Sequence, residues 1–135
     1  MTGLASKKLG IKEGARSFLV NAPAKAVEAI DPSQLELARR LIGRFDYIHL
    51  FTKSQDEFNT MFPKLKTHLK PTGMLWVSWP KNRKLGTDLT LTKIIELGCN
   101  HGLVESKTIS IDETWSAIRF THPKKGKCIR TVMEN

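Results

Sequence analysis

Short apolar runs alternate with stretches of helical spacing along this chain. Residues 15–20 form a brief apolar run closed by the turn former Asn21, and they read as a strand. Phe45-Asp46-Tyr47-Ile48-His49-Leu50-Phe51 is a longer run, with the near-continuous apolar character of a strand covered on both faces. Residues 74–79 make a third strand after the turn residues Pro71-Thr72-Gly73, and residues 103–111 and 116–121 make two more around the loop Asp112-Glu113-Thr114-Trp115. Helical spacing fills the gaps. Residues 3–9 suit a short amphipathic helix ended by Gly10. Pro23 then stands where a first helical position belongs, and Ala26, Val27, Ala29 and Ile30 follow as far as Asp31-Pro32. Ser54 and Glu57 have the spacing of a capping box, and the helix they open carries Phe58, Met61, Phe62, Leu65 and Leu69 on one face. Pro63 inside that pattern predicts a kink or a split. Asp88 or Thr90 caps a further helix through Leu91, Ile94, Ile95, Leu97 and Gly98, stopped by Gly102. Residues 34–42 carry both periods, and the alternation of Leu35 and Leu37 favours a short strand near 35–38.

Strand–helix–strand alternation with such apolar strands implies a mostly parallel sheet clad on both faces. The last two strands have too short a connection for a parallel crossover, so they pair antiparallel. The expected fold is therefore α/β: a Rossmann-like three-layer sandwich, mostly parallel, with a C-terminal antiparallel hairpin. Residues 1–122 form a single domain, and residues 123–135 a basic tail.

Composition narrows the class. A chain of 135 residues that is 40% hydrophobic can bury a real core, which excludes wholesale disorder and low-complexity architecture. Lys and Arg number 22 against 13 Asp and Glu, a formal charge of +9, so the surface should attract anions. The first residues lack the apolar stretch of a secretory signal, and no apolar run reaches the length of a membrane span. Cys99 and Cys128 stand far apart, outside any Cys-x-x-Cys spacing, and Cys99 falls in an apolar helix pattern. A cytoplasmic protein with reduced thiols is expected, Cys99 within the core.

Three local features resemble class I S-adenosylmethionine-dependent methyltransferases, shortened. Gly43-Arg44-Phe45-Asp46 and the apolar residues after it resemble that fold's fourth strand. Leu69-Lys70-Pro71-Thr72-Gly73 resembles its turn before strand five, where Leu-Lys-Pro-Gly-Gly is common. The terminal hairpin matches strands six and seven. A more specific likeness spans the chain apart from the tail. Asn21-Ala22-Pro23, Trp76-Val77-Ser78-Trp79-Pro80-Lys81, Thr87-Asp88-Leu89-Thr90 and Asp112-Glu113-Thr114-Trp115-Ser116 occur in the order found in the bacterial domain-of-unknown-function family 3052, and Lys7 to Lys12 fits it too. That resemblance implies no activity.

The methyltransferase resemblance implies a glycine-rich turn after strand one and an acid at the end of strand two. Here the turn is Asn21-Ala22-Pro23-Ala24, with no glycine between Gly14 and Gly43. The second position offers Glu36, within the strand, or the purely donating Arg39-Arg40. S-adenosylmethionine is therefore not expected as the cofactor. In an open parallel sheet, ligands bind beyond the carboxyl ends of the strands. That rule gathers Asn21, Thr52, Lys53, Ser78, Trp79, Lys81, Asp112, Glu113, Trp115 and Ser116 on one rim, where indole walls and two lysines would suit an anionic or nucleotide-like small ligand. Each residue has a purely structural alternative: Trp79 and Trp115 as core, Asp112 and Asp88 as caps, Asn21 as a turn residue. No two histidines have metal-ligand spacing. Ser78 and Ser116 lack a Gly-x-Ser-x-Gly elbow, and no histidine is placed to serve them. Arg39-Arg40-Arg44, Lys81 to Lys84 and Lys124 to Lys127 support a different class, a basic nucleic-acid-binding protein. A non-standard S-adenosylmethionine-dependent methyltransferase is the remaining alternative.

Overall fold

A computed structural model describes residues 6–123. Its elements are α1 (Ser6–Leu9), β1 (Arg16–Val20), α2 (Ala24–Ile30), β2 (Glu36–Leu37), β3 (Phe45–Phe51), α3 (Gln55–Thr67), β4 (Leu69–Pro80), α4 (Leu91–Asn100), β5 (Val104–Ser110) and β6 (Trp115–Thr121). The strands form one six-stranded sheet in the order β2-β1-β3-β4-β6-β5. The pairs of β1 with β2 and β3, and of β3 with β4, are parallel; β6 runs antiparallel to both β4 and β5. This is the expected Rossmann-like α/β sandwich with a C-terminal antiparallel pair. The basic stretch after Pro123 lies outside the described residues.

Two cores sit on opposite faces of the sheet because side chains alternate along each strand. Ile48, Leu50, Leu75, Val77 and Trp79 meet Phe58, Phe62 and Leu65 of α3 and Ile94 of α4. On the other face, Tyr47, Phe51, Trp76 and Trp115 meet Leu9 of α1 with Ala26 and Ile30 of α2. Trp76 and Trp79, three residues apart on one strand, thus serve different cores. Cys99 is buried as expected, but it carries no free thiol, against the expectation of reduced thiols.

Local chemistry explains the boundaries. Ser54 accepts from the Glu57 N–H and opens α3, as the capping spacing predicts. Thr90, rather than Asp88, caps α4 by accepting from the Lys93 N–H. Asp88 instead accepts from the Gln55 N–H and so supports the start of α3. Pro63 does not split α3, which is continuous to Thr67. The carbonyl that proline deprives of a partner belongs to Asn59, which is exposed and can be hydrated.

The predicted turn at Pro71-Thr72-Gly73 is an irregularity inside β4. Pairing with β3 jumps from Phe45↔Leu69 to Tyr47↔Met74, so the two backbones crowd together at this point. A Cβ on Gly73 would lie 2.9 Å from the Phe45 carbonyl oxygen, which is why glycine stands there. The short strand expected near 35–38 is β2, only two residues long and exposed at the edge. Beside it, Arg16 lies over the Phe45 ring and donates to the carbonyls of Ile42 and Arg44. Asp46 accepts the Arg16 N–H and pairs with Lys70 at 3.1 Å. Burial pushes its carboxyl up, but these two partners outweigh burial and leave its pKa lowered.

Gly98 shows how tightly α4 lies on the sheet. A Cβ there would collide with the Phe120 ring. In an exposed helix Gly→Ala stabilises by roughly 1 kcal/mol. Here Gly98→Ala should instead lower stability by about 1–3 kcal/mol through overpacking, read as a decreased urea midpoint.

Candidate functional site

The carboxyl ends of β1 and β3 meet the β5–β6 hairpin at a cavity of about 300 Å³. Asn21, Pro23, Phe51, Lys53, Glu57, Leu85 and Trp115 line it. Phe51 and Trp115 form an edge-on aromatic pair, with ring centroids 5.3 Å apart, that makes the apolar wall.

One carboxylate ties this edge together. Glu57 Oε1 accepts the Thr52 hydroxyl at 2.7 Å and the Lys53 N–H at 3.2 Å, while Oε2 accepts from Asn21 Nδ2 at 3.2 Å. The turn after β1, the exit of β3 and the start of α3 therefore converge on a single side chain. Asn21 has a φ of 57°, in the left-handed region that glycine ordinarily supplies and that asparagine tolerates best among the others. The turn expected to need glycine is thus made without one.

The loop after β4 forms the far lip. Lys81–Gly86 is an irregular 3₁₀ segment in which Asn82, Arg83 and Leu85 all have positive φ, a feature the sequence reading did not anticipate. Thr87 donates to the Lys53 carbonyl and Lys84 to the Glu113 carbonyl, which hold this loop to the β3 exit and to the hairpin. Leu85 is left 58% exposed beside the cavity.

The residues expected at this rim divide into three groups. Asn21, Lys53 and Trp115 line the cavity. Lys81, Asp112, Glu113 and Ser116 lie at the same edge in structural roles. Lys81 donates to Ser110 Oγ, Asp112 accepts the N–H groups of Thr114 and Trp115, and Ser116 pairs with Trp79 and Ser110 across the strands. Glu113 is exposed at the hairpin tip. Thr52, Ser78 and Trp79 are buried and do not line the cavity. Glu57, Phe51 and Leu85 were missed. The capping-box spacing was the available signal for Glu57, but it identifies a helix start rather than the return bond to Asn21.

Behind the cavity lies a buried polar chain. Tyr47 OH is 2.5 Å from His49 Nδ1, and His49 Nε2 is 2.6 Å from Ser78 Oγ. The expectation that no histidine serves Ser78 is therefore corrected. The two stand 29 positions apart and meet only because β3 and β4 are adjacent in this register. All three side chains are fully buried, so Ser78 is a member of the core rather than an accessible nucleophile. A neutral imidazole offers one donor and one acceptor and satisfies both hydroxyls. Burial pushes the His49 pKa down to about 3 and raises that of Tyr47. Among the described residues, no group of three or more His, Cys, Asp or Glu is placed to hold a metal ion, and no helix is long and apolar enough to cross a membrane.

Solved structures share this fold. A TehB-like S-adenosylmethionine-dependent methyltransferase from Corynebacterium glutamicum superposes with a TM-score of 0.60 at 12% identity, over 91% of this chain and 89% of that one. The magnesium protoporphyrin IX methyltransferase of Synechocystis with bound S-adenosylmethionine gives 0.57 at 11% identity, over 87% and 74%. Its form with bound S-adenosylhomocysteine gives 0.58 at 12% identity, over 87% and 78%. The fold is that of class I methyltransferases. No family model and no curated protein sequence matches the chain. The expectation that S-adenosylmethionine is unlikely is overturned, since structures that hold this molecule and its demethylated product have the same fold over most of the chain. At Asn21, with its positive φ, asparagine also makes locally the turn for which glycine was expected.

Asn21→Val should cost about 1–2 kcal/mol, because a β-branched residue resists positive φ, while Asn21→Gly keeps the turn; urea unfolding of the two variants measures the difference. For His49 the folded-state pKa lies below the unfolded value near 6.5, so its contribution is complete above that pH. It is lost as pH falls from about 6.5 towards 3, each pKa unit being worth about 1.4 kcal/mol. Urea midpoints measured across this range should fall steeply for the natural chain and less for His49→Gln.

Proposed function

We propose that this chain is a small methyltransferase-type domain that takes S-adenosylmethionine, or a ligand of the same adenosyl–amino-acid class, in the carboxyl-edge cavity. The grip differs from the pattern the methyltransferase resemblance implies. Asn21 takes the place of the glycine turn, and Glu57, on α3, stands in for the acid at the end of strand two. Glu36 cannot fill that role, because it lies within β2 and faces Arg16 at 3.5 Å.

The observation that carries the reading is the junction at Glu57, which sets a carboxylate, the exposed Lys53 ammonium and the Phe51–Trp115 wall around one cavity. Each part has a use for this ligand class. The aromatic wall suits an adenine ring, the Lys53 ammonium a ligand carboxylate, and the Glu57 carboxylate a hydroxyl or ammonium group. A bound S-adenosylmethionine would supply an electrophilic methyl group; the chain's own residues would orient it and exclude water from the wall. The reading of an anionic, nucleotide-like ligand bound without methyl transfer uses the same cavity, and product binding with no detectable turnover would favour it. We also propose membership of domain-of-unknown-function family 3052, supported by four separated motifs in order, and a single domain over residues 1–122.

Calorimetric titration with S-adenosylhomocysteine tests the site. The natural chain should bind saturably, and Glu57→Gln and Lys53→Ala should each weaken binding about tenfold, the effect of losing one hydrogen bond to a charged group. A folded natural chain that takes up neither S-adenosylmethionine nor S-adenosylhomocysteine at millimolar concentration contradicts the proposal.

A further inference from the structure

At the opposite edge, where the parallel strands begin, a second concavity of about 510 Å³ opens between the ends of α3 and α4. Arg44 before β3, Lys66 and Thr67 in the last turn of α3, His101 after α4 and His122 after β6 surround it, with the buried Leu69 among its lining. Arg44 and Lys66 carry positive charge, the two histidines add ring nitrogens, and no acidic side chain is among the lining residues.

Among the described residues, no carboxylate pairs with these two cations. Among the described residues, the ion pairs are Arg16–Glu36, Lys70–Asp46 and Lys93–Glu96; neither Arg44 nor Lys66 takes part in one. Lys66 Nζ donates to the His101 carbonyl at 2.7 Å, which leaves two of its three protons unassigned. Gly102, where φ is 92°, lies close enough that a Cβ there would stand 2.6 Å from that nitrogen, the flexible end of the lysine side chain. His101 Nε2 donates to Asn59 Oδ1 at 2.9 Å, so the ring lines the notch but offers an anion no further N–H while it is neutral. Burial, and after it the Lys66 ammonium, keeps the His101 pKa below its ordinary value, as expected for an imidazole in a positive potential.

Cations at helix C-termini commonly do no more than balance the exposed carbonyls. That role accounts for Lys66. It does not account for Arg44, whose guanidinium has no partner among the described residues, or for His122, which approaches the Leu69 carbonyl only to 3.4 Å. A planar, five-donor guanidinium beside a compact ammonium is the arrangement that recognises phosphate oxygens.

We propose that this notch is an anion site for a phosphate group, borne by a small phosphorylated molecule or by a nucleic-acid backbone. It lies at the other edge of the sheet from the adenosyl cavity and does not depend on that reading.

The test uses the full chain, with pyrophosphate measured by calorimetry at low salt and a short single-stranded RNA measured by fluorescence anisotropy across a salt series. Arg44→Gln and Lys66→Gln should each weaken pyrophosphate binding about tenfold or more, the loss of one charge-assisted contact, while S-adenosylhomocysteine affinity stays unchanged. RNA affinity that falls in step in both variants, with a shallower salt slope, identifies the backbone as the source. RNA affinity that ignores both variants, beside a pyrophosphate loss, identifies a small molecule. Should Lys66→Gln fail to fold, the exposed Arg44→Gln decides alone. A natural chain that binds neither probe, or binds both with affinities that neither variant alters, overturns the proposal and leaves the cations as helix-end partners only.

Discussion

The carboxyl edge of this sheet depends on the Glu57 carboxylate. Parallel strands end where chain direction must reverse, and the loops there expose N–H groups and polar side chains that need partners. Glu57 answers for three of them at once: the Asn21 amide, the Thr52 hydroxyl and the Lys53 N–H. It also belongs to the first turn of α3, where negative charge is favoured by the helix dipole. A single side chain therefore joins the turn after β1 to the exit of β3 while stabilising the helix that covers the next strand. The cavity exists because those two exits are held at a fixed separation with the Phe51–Trp115 pair between them.

The layers behind the edge reinforce this arrangement. The α3–α4 face is apolar and close-packed, down to a glycine where Phe120 leaves no room for a methyl group. The face under α1 and α2 contains the Tyr47–His49–Ser78 chain, stacked against Phe51 at 4.4 Å between ring centroids. Polar groups in a sheet core require a specific register to be satisfied, so this chain fixes how β3 pairs with β4. In the same layer the Trp76 indole N–H meets no acceptor among the described residues, a cost of roughly 1–3 kcal/mol that the surrounding aromatic packing offsets.

Much of this was legible in the residue pattern. The unbroken apolar character of β3, the Ser54–Glu57 spacing and the short loop between β5 and β6 each constrain local structure directly, and together they imply a parallel sheet with an antiparallel end. What could not be read depends on contacts between distant segments. Gly73 looks like a turn residue until the Phe45 carbonyl is found against it. Pro63 looks like a helix break until Asn59 proves exposed. Ser78 and His49 look unrelated until register sets them together, and Asn21 looks like a defect in a glycine turn until its backbone angle is known. Of the rim residues, those at loop tips were placed by topology alone; the burial of Ser78 and Trp79 followed from side-chain alternation along β4, with each face covered by helices.

Amide hydrogen exchange on Glu57→Ala tests most directly whether this carboxylate unites the edge. If it does, exchange accelerates together in residues 21–24 and 52–57, two segments remote in sequence, while the amides of β4 and β6 keep their protection. Acceleration confined to residues 52–57, with the Asn21 turn as protected as before, would mean that the helix start and the turn are independent and that the edge is not one site.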